Sequence, residues 1–224
     1  MALSGPRVSP KSGKPNALVV LLHGYGSDGD DLIGLAEPLA ASLPQAAFVA
    51  PNAPTPCPGA RFMWFPISEL DPVAMHKGVV GATPALQSFI ASELQRLGLG
   101  ADRLVLIGFS QGTMLALHLS LLGLKPAAVV GFSGLLTTDG ATQARLDLPP
   151  YLLAHGTADQ VIPPDAMFMT AGALGEAGAR VQWHLAEGIG HGIDDGTLDL
   201  AGHFLQLALD GRLAAAGPAS TVWR

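Results

Sequence analysis

The chain has 224 residues, 49% of them apolar and only 13% charged, with a formal net charge of -6. That composition supplies a sizeable core and excludes a disordered chain; the acidic balance excludes a nucleic-acid or anionic-membrane surface, since both need clustered Lys and Arg. A lone cysteine, Cys57, rules out an intramolecular disulfide framework and suits a reduced compartment.

Apolar strand-like runs alternate with helical spacing along the chain, the pattern of βα units and a mostly parallel sheet. "ALVVLLHG" (17–24) reads as a buried strand, "DDLIGLAEPLAASL" (30–43) as a helix and "AAFVAP" (46–51) as a second strand. The segment 51–72, "PNAPTPCPGARFMWFPISELDP", is too proline-rich for a helix or central strand, yet its aromatic residues argue for order. A helix is expected over 84–99, with Pro84 in its first turn. Strands follow over 103–109, 127–134, 151–156 and 180–188, with a helix after the first of them and a last helix over 197–209. About six strands this apolar require helices on both faces. The expectation is one α/β domain over 1–224, its core spanning about 17–211 and a loosely held tail 212–224, with no large cap domain. The opening "MALSGPRVSPKSGKPNA" has no long apolar run, and no stretch of about 18 apolar residues occurs, so a cytoplasmic location without integral membrane association is expected.

Between the strand "LVLIGF" and the helix that follows stands Gly108-Phe109-Ser110-Gln111-Gly112. A G-x-S-x-G sequence in the context strand, turn, helix is the nucleophile elbow: a sharp bend lifts the serine Oγ above the sheet edge, and the glycines sit where a Cβ would collide. The free N–H groups and positive dipole end of the helix face any oxyanion that forms there, and the Gln111 N–H is one donor. A serine hydroxyl needs a base, and the base an orienting acid, in the chain order acid then histidine. "YLLAHGTADQVIP" offers Asp159 just past a strand end, and "QWHLAEGIGHGIDD" offers His191 between two glycines in the same setting. The competing residues have blander roles. His155 and His184 fall within strands and read as packed or surface positions, and His118 and His203 lie on helices. Asp139 and Asp165 stand at helix starts, and Asp194 and Asp195 would cap the last helix. No histidine pair has metal-ligand spacing with a partner carboxylate, so no metal is expected.

The second oxyanion donor is expected from the loop after the first strand, "HGYGSDGDD", with the Tyr25 N–H as the candidate and His23 pinning the loop. A phosphate-cradling reading of this loop fails for want of the G-x-x-x-x-G-K-[ST] pattern.

"LLHGYGSDGDDL", "GFSQG", "HGTADQVIP" and "GHGI", in this order over about residues 17–209, resemble the small α/β-hydrolases of the phospholipase/carboxylesterase group, which includes bacterial carboxylesterases and acyl-protein thioesterases. The resemblance implies the α/β-hydrolase fold, Ser110 as nucleophile with Asp159 and His191, and Tyr25 and Gln111 as oxyanion donors. "RFMWFPIS" is similar to that family's aromatic segment near the acyl pocket. Met63, Trp64 and Phe65 are therefore candidate acyl contacts, with Leu135, Leu136, Val161 and Ile162 as a second wall; ordinary core packing remains the competing reading for each. Acyl-protein thioesterases carry Leu where this chain has Tyr25, a change at the pocket entrance. The expected function is a cofactor-free serine carboxylesterase acting on short- to medium-chain esters. Acyl-protein thioesterase, lysophospholipase or lactone hydrolysis with the same triad stay open, as does a non-catalytic ligand-binding homologue. The expected partner is a small-molecule ester; a homodimer is left open.

Overall fold

The computed structural model describes residues 3–67, 71–137 and 147–213. Among these residues seven strands form the central sheet: β1 (Arg7–Val8), β2 (Ala17–Leu22), β3 (Ala46–Val49), β6 (Leu104–Phe109), β7 (Ala128–Phe132), β8 (Tyr151–Gly156) and β9 (Val181–Ala186). Their spatial order is β1-β3-β2-β6-β7-β8-β9, all neighbours parallel except β1, which runs antiparallel to β3. The remaining two strands, β4 (Thr55–Pro56) and β5 (Phe62–Met63), pair as a small antiparallel hairpin inside the proline-rich segment.

The strands read as unbroken apolar runs because both sheet faces are covered. Leu18, Val20, Leu22, Leu104, Leu106 and Leu153 point to one side, under α3 (Pro72–Leu97), α4 (Gln111–Leu121) and α5 (Asp165–Glu176). Ala17, Val19, Leu21, Val105 and Ile107 point to the other, under α1 (Gly29–Leu32), α2 (Ala36–Ser42) and α6 (Asp195–Leu209). This is the α/β-hydrolase architecture, and no large insertion caps the sheet among the described residues.

Three elements depart from the sequence reading. The helix expected over 84–99 begins at Pro72: the Asp71 carboxylate accepts from the Val73 and Ala74 N–H groups, with Pro72 in the first turn. Pro84 lies inside it, on an exposed face shared with Val80, the residue whose carbonyl Pro84 cannot serve. The helix expected over 30–43 is split into α1, a 3-10 turn (Ile33–Leu35) and α2, because Pro38 has no N–H for the Gly34 carbonyl. The two-residue β1 carries no periodicity a sequence could reveal. Asp194 caps α6 by accepting from the Thr197 N–H. Asp165 is the first residue of α5 but makes no capping bond. Asp139 and residues 214–224 lie outside the described residues.

Candidate active site

Ser110, Asp159, His191 and Tyr25 stand just past the carboxyl ends of parallel strands, and Gln111 is the first residue of α4. At the end of β6 the chain bends into α4 within one residue, Ser110, at φ 53° and ψ -114°. A positive φ is strained for any side chain, and here the surroundings enforce it. The Ser110 N–H donates to the Phe132 carbonyl at 2.9 Å, and its carbonyl accepts from the Thr113 N–H at 3.0 Å. A Cβ on Gly108 would lie 2.3 Å from the Thr113 nitrogen, and one on Gly112 would lie 1.9 Å from the Leu22 oxygen. Only glycines let β6, α4 and β2 converge this closely.

Asp159 follows β8. Its Oδ1 accepts from the Val161 and Ile162 N–H groups at 2.9 and 3.0 Å, and Oδ2 lies 2.8 Å from His191 Nδ1. Burial works to raise its pKa, but the bonds from His191, Ile162 and Val161 outweigh burial, so the carboxyl is held below its ordinary value. An ionised Asp159 requires the His191 proton on Nδ1, which leaves Nε2 as the basic nitrogen. The loops carrying these two residues are stitched together: Thr157 N–H donates to the Ala186 carbonyl at 2.9 Å, Ala158 N–H to that of Ile189 at 2.8 Å, and Gly188 N–H to Thr157 Oγ1 at 2.8 Å. The His191 ring packs on Phe109, the residue before Ser110, with centroids 4.9 Å apart. Ser110, Asp159 and His191 thus gather at one sheet edge.

The loop after β2 passes over the same edge: a Cβ on Gly24 would stand 3.3 Å from that of Ser110. Among the described residues neither the Tyr25 nor the Gln111 backbone N–H donates to another group. His23 is buried; its Nε2 accepts from the Ala53 N–H at 3.0 Å, so Nδ1 carries the proton and donates to the Gly24 carbonyl at 2.8 Å. Burial, opposed by that bond and by Asp28 and Asp31, keeps its pKa below the ordinary value, which suits a neutral structural pin. The β4–β5 hairpin braces the loop through Gly26 N–H to Phe62 O (2.8 Å), Arg61 N–H to Gly26 O (3.0 Å) and Phe62 N–H to Ser27 O (3.1 Å). An ion pair between Arg61 and Asp28 at 3.2 Å joins the same two segments. The Tyr25 side chain is exposed, and its hydroxyl interacts with Cys57, which raises the phenol pKa.

The Gln111 side chain is a feature the sequence did not reveal. Fully buried, it accepts from the Trp64 N–H and donates to the Phe65 carbonyl, each at 2.8 Å, in the manner of a neighbouring strand. A buried amide next to Ser110 was the available signal, but nothing local names its partners. Trp64 and Phe65 lie in the core under α3 and α4, the indole N–H donating to the His23 carbonyl at 2.9 Å and Phe65 filling the space over Gly78. Met63 and Ile162 are buried as well, Leu135 and Leu136 are half-buried against the same core, and Val161 is 56% exposed. A cavity of about 720 Å³ opens beside the loop after β2, with Tyr25, Asp28, Asp30, Asp31, Ala60 and Arg61 in its walls. Among the described residues no three His, Cys, Asp or Glu side chains converge as metal ligands, and no helix is long and apolar enough to cross a membrane.

A family model described as Phospholipase/Carboxylesterase matches residues 3–209. Acyl-protein thioesterase 1 of Yarrowia lipolytica is 32% identical over 202 residues, 81% of this chain and 87% of that protein. The Saccharomyces cerevisiae protein of the same name is 29% identical over 178 residues, 72% of this chain and 78% of its own. Among solved structures, esterase PE8 superposes with a TM-score of 0.85 at 39% identity, covering 92% of this chain and 99% of that one. A carboxylesterase from Mesorhizobium loti gives 0.74 at 27%, covering 86% and 89%.

Proposed function

Since the chain belongs to the phospholipase/carboxylesterase family and is a hydrolase acting on esters, we propose that it works by acyl transfer through Ser110, His191 and Asp159, with acyl thioesters as its preferred substrate class. The observation that carries the mechanism is the 2.8 Å contact from His191 Nδ1 to Asp159 Oδ2, on a ring packed against the residue before a strained serine.

Ser110 Oγ attacks the acyl carbonyl carbon while its proton passes to His191 Nε2. The carbonyl oxygen becomes an oxyanion and is held by the Tyr25 and Gln111 N–H groups; losing one such donor costs roughly 3–4 kcal/mol of transition-state stabilisation. The intermediate collapses, the bond to the leaving thiol or alcohol breaks, and His191 returns the proton to the departing atom. Water, deprotonated by His191, then attacks the acyl-enzyme and releases the acid and free Ser110. Asp159 holds the imidazole tautomer and stabilises its charge in both steps.

The names of the sequence relatives weigh toward the thioesterase alternative over a short-chain carboxylesterase. The carboxylesterase reading keeps its own support, the similarity to esterase PE8 and to the carboxylesterase from Mesorhizobium loti. Met63, Trp64, Phe65, Leu135, Val161 and Ile162 form the acyl-facing side on this reading, with the buried members shaping its floor and Val161 its rim. Matched oxygen and sulfur esters of acetate through palmitate test both halves of the proposal. Ser110→Ala is expected to abolish turnover of every member; activity that survives removes the nucleophile assignment. Higher kcat/KM on oxygen esters than on thioesters at every length would return the substrate class to the carboxylesterases.

A further inference from the structure

His155, the fifth residue of β8, is an imidazole in a strand whose neighbours are apolar, and its side chain is only 1% exposed. A buried polar ring is costly unless its N–H is used. Two oxygens face Nε2, the Ile162 carbonyl at 2.8 Å and Asp159 Oδ2 at 3.2 Å. Both are acceptors, so Nε2 must carry the proton. Nδ1 has no hydrogen-bond partner among the described residues. Every polar interaction of this ring is therefore directed at one turn, Asp159 to Ile162.

That turn holds the carboxylate. Asp159 Oδ1 takes the Val161 and Ile162 N–H groups, and the Ile162 carbonyl takes the His155 N–H, so the two ends of residue 162 are fixed from opposite sides. The same N–H lies beside Oδ2, the oxygen that receives His191. We propose that His155 is a positioning residue: it locks the 159–162 turn and, with its N–H beside Oδ2, keeps the Asp159 carboxylate aimed at His191. The inference rests on the triad reading above and assigns His155 no contact with substrate.

A residue that acts only through Asp159 must lose its influence once Asp159 is disabled, whereas a residue needed merely for packing keeps it. In His155→Leu, kcat is expected to fall about tenfold with KM little changed, as a loosened carboxylate misaligns the base. His155→Gln, whose amide N–H reaches the place of Nε2, is expected to recover most of that loss. On an Asp159→Asn background, His155→Leu is expected to reduce kcat by less than about twofold further. Wild-type kcat in His155→Leu, or an undiminished loss on the Asp159→Asn background, would overturn the proposal. Histidine nitrogen spectra of the wild-type protein at neutral pH give a second reading that needs no variant: the Nε2–H tautomer supports it and the Nδ1–H tautomer overturns it. Ser110→Ala measured alongside separates the two levels. Its inactivity together with an indifferent His155→Leu rejects only the role of His155, and its retained activity rejects the triad itself.

Discussion

Ser110 sits in a backbone conformation that its own Cβ disfavours, with φ at 53°. Its side chain makes no capping bond to α4, so the strain is not offset locally. Conformations of this kind cost about 1–3 kcal/mol and persist because surrounding structure imposes them. Ser110→Gly should therefore raise stability by about 1 kcal/mol, or roughly 2–4 °C in Tm, part of the relief being lost to a freer unfolded chain. Hydrolysis should vanish in the same variant. Calorimetry decides the matter: a midpoint at or below that of the wild type would mean the bend stores no strain. The neighbouring glycines have no such latitude, because a Cβ at Gly112 would meet the Leu22 carbonyl at 1.9 Å.

The proline-rich segment is an element defined by what it fastens. Its hairpin zips the loop after β2, its Trp64 indole N–H donates to the His23 carbonyl, and its backbone is bridged by Gln111. Gln111 thus faces two ways, its main-chain N–H without a partner among the described residues and, on the proposed mechanism, turned to an oxyanion, its side chain anchoring residues 64 and 65. In Gln111→Met the buried Trp64 N–H and Phe65 carbonyl lose their partner, a cost of about 2–3 kcal/mol. The loop after β2, which supplies an oxyanion donor on the proposed mechanism, loses a brace at the same time, so kcat is expected to fall while the far-UV spectrum stays unchanged. Wild-type stability in this variant would show that the segment is held by its apolar contacts alone.

At the scale of the molecule, two buried carboxylates make the fold sensitive to acid. Glu93 of α3 receives Arg7 of β1 at 2.6 Å and Arg96 at 2.7 Å. The Arg7 bond lowers its pKa, burial opposes this, and Arg96 adds to the lowering, so it lies below the ordinary 4.5. Asp159 is likewise lowered from 3.8, the bonds from His191 and the two N–H groups overcoming its burial. A carboxyl depressed in the folded state contributes stability that is complete above its unfolded pKa and is lost as pH falls through the folded value. The denaturant midpoint should accordingly hold above about pH 5 and fall below about pH 4. Glu93→Gln should be less stable at neutral pH and show a shallower acid slope. An acid slope equal to that of the wild type would exclude Glu93 as a contributor.

Several features were legible in the sequence for a common reason: they are local. The elbow is five consecutive residues, and each of Asp159 and His191 follows a recognisable strand end, so their chain order could be read without coordinates. Alternation of apolar strands and helical spacing likewise announced a covered, mostly parallel sheet. The start of α3 was missed because Pro84 imitates a first turn, and its tolerance depends on which helix face meets solvent, a tertiary matter. His155 read as a packed or surface position, and the structure buries it; that its N–H serves the turn four residues ahead follows from how the chain folds back after β8. Met63, Trp64 and Phe65 were equally compatible with pocket and core, because an aromatic cluster has no direction until the sheet and helices are placed around it. The sequence by itself determined the order of elements and the chemical groups available, since both are written in periodicity and residue type. Which oxygen faces which nitrogen was decided only by the tertiary structure, because hydrogen bonds depend on ångström distances between segments far apart in the chain.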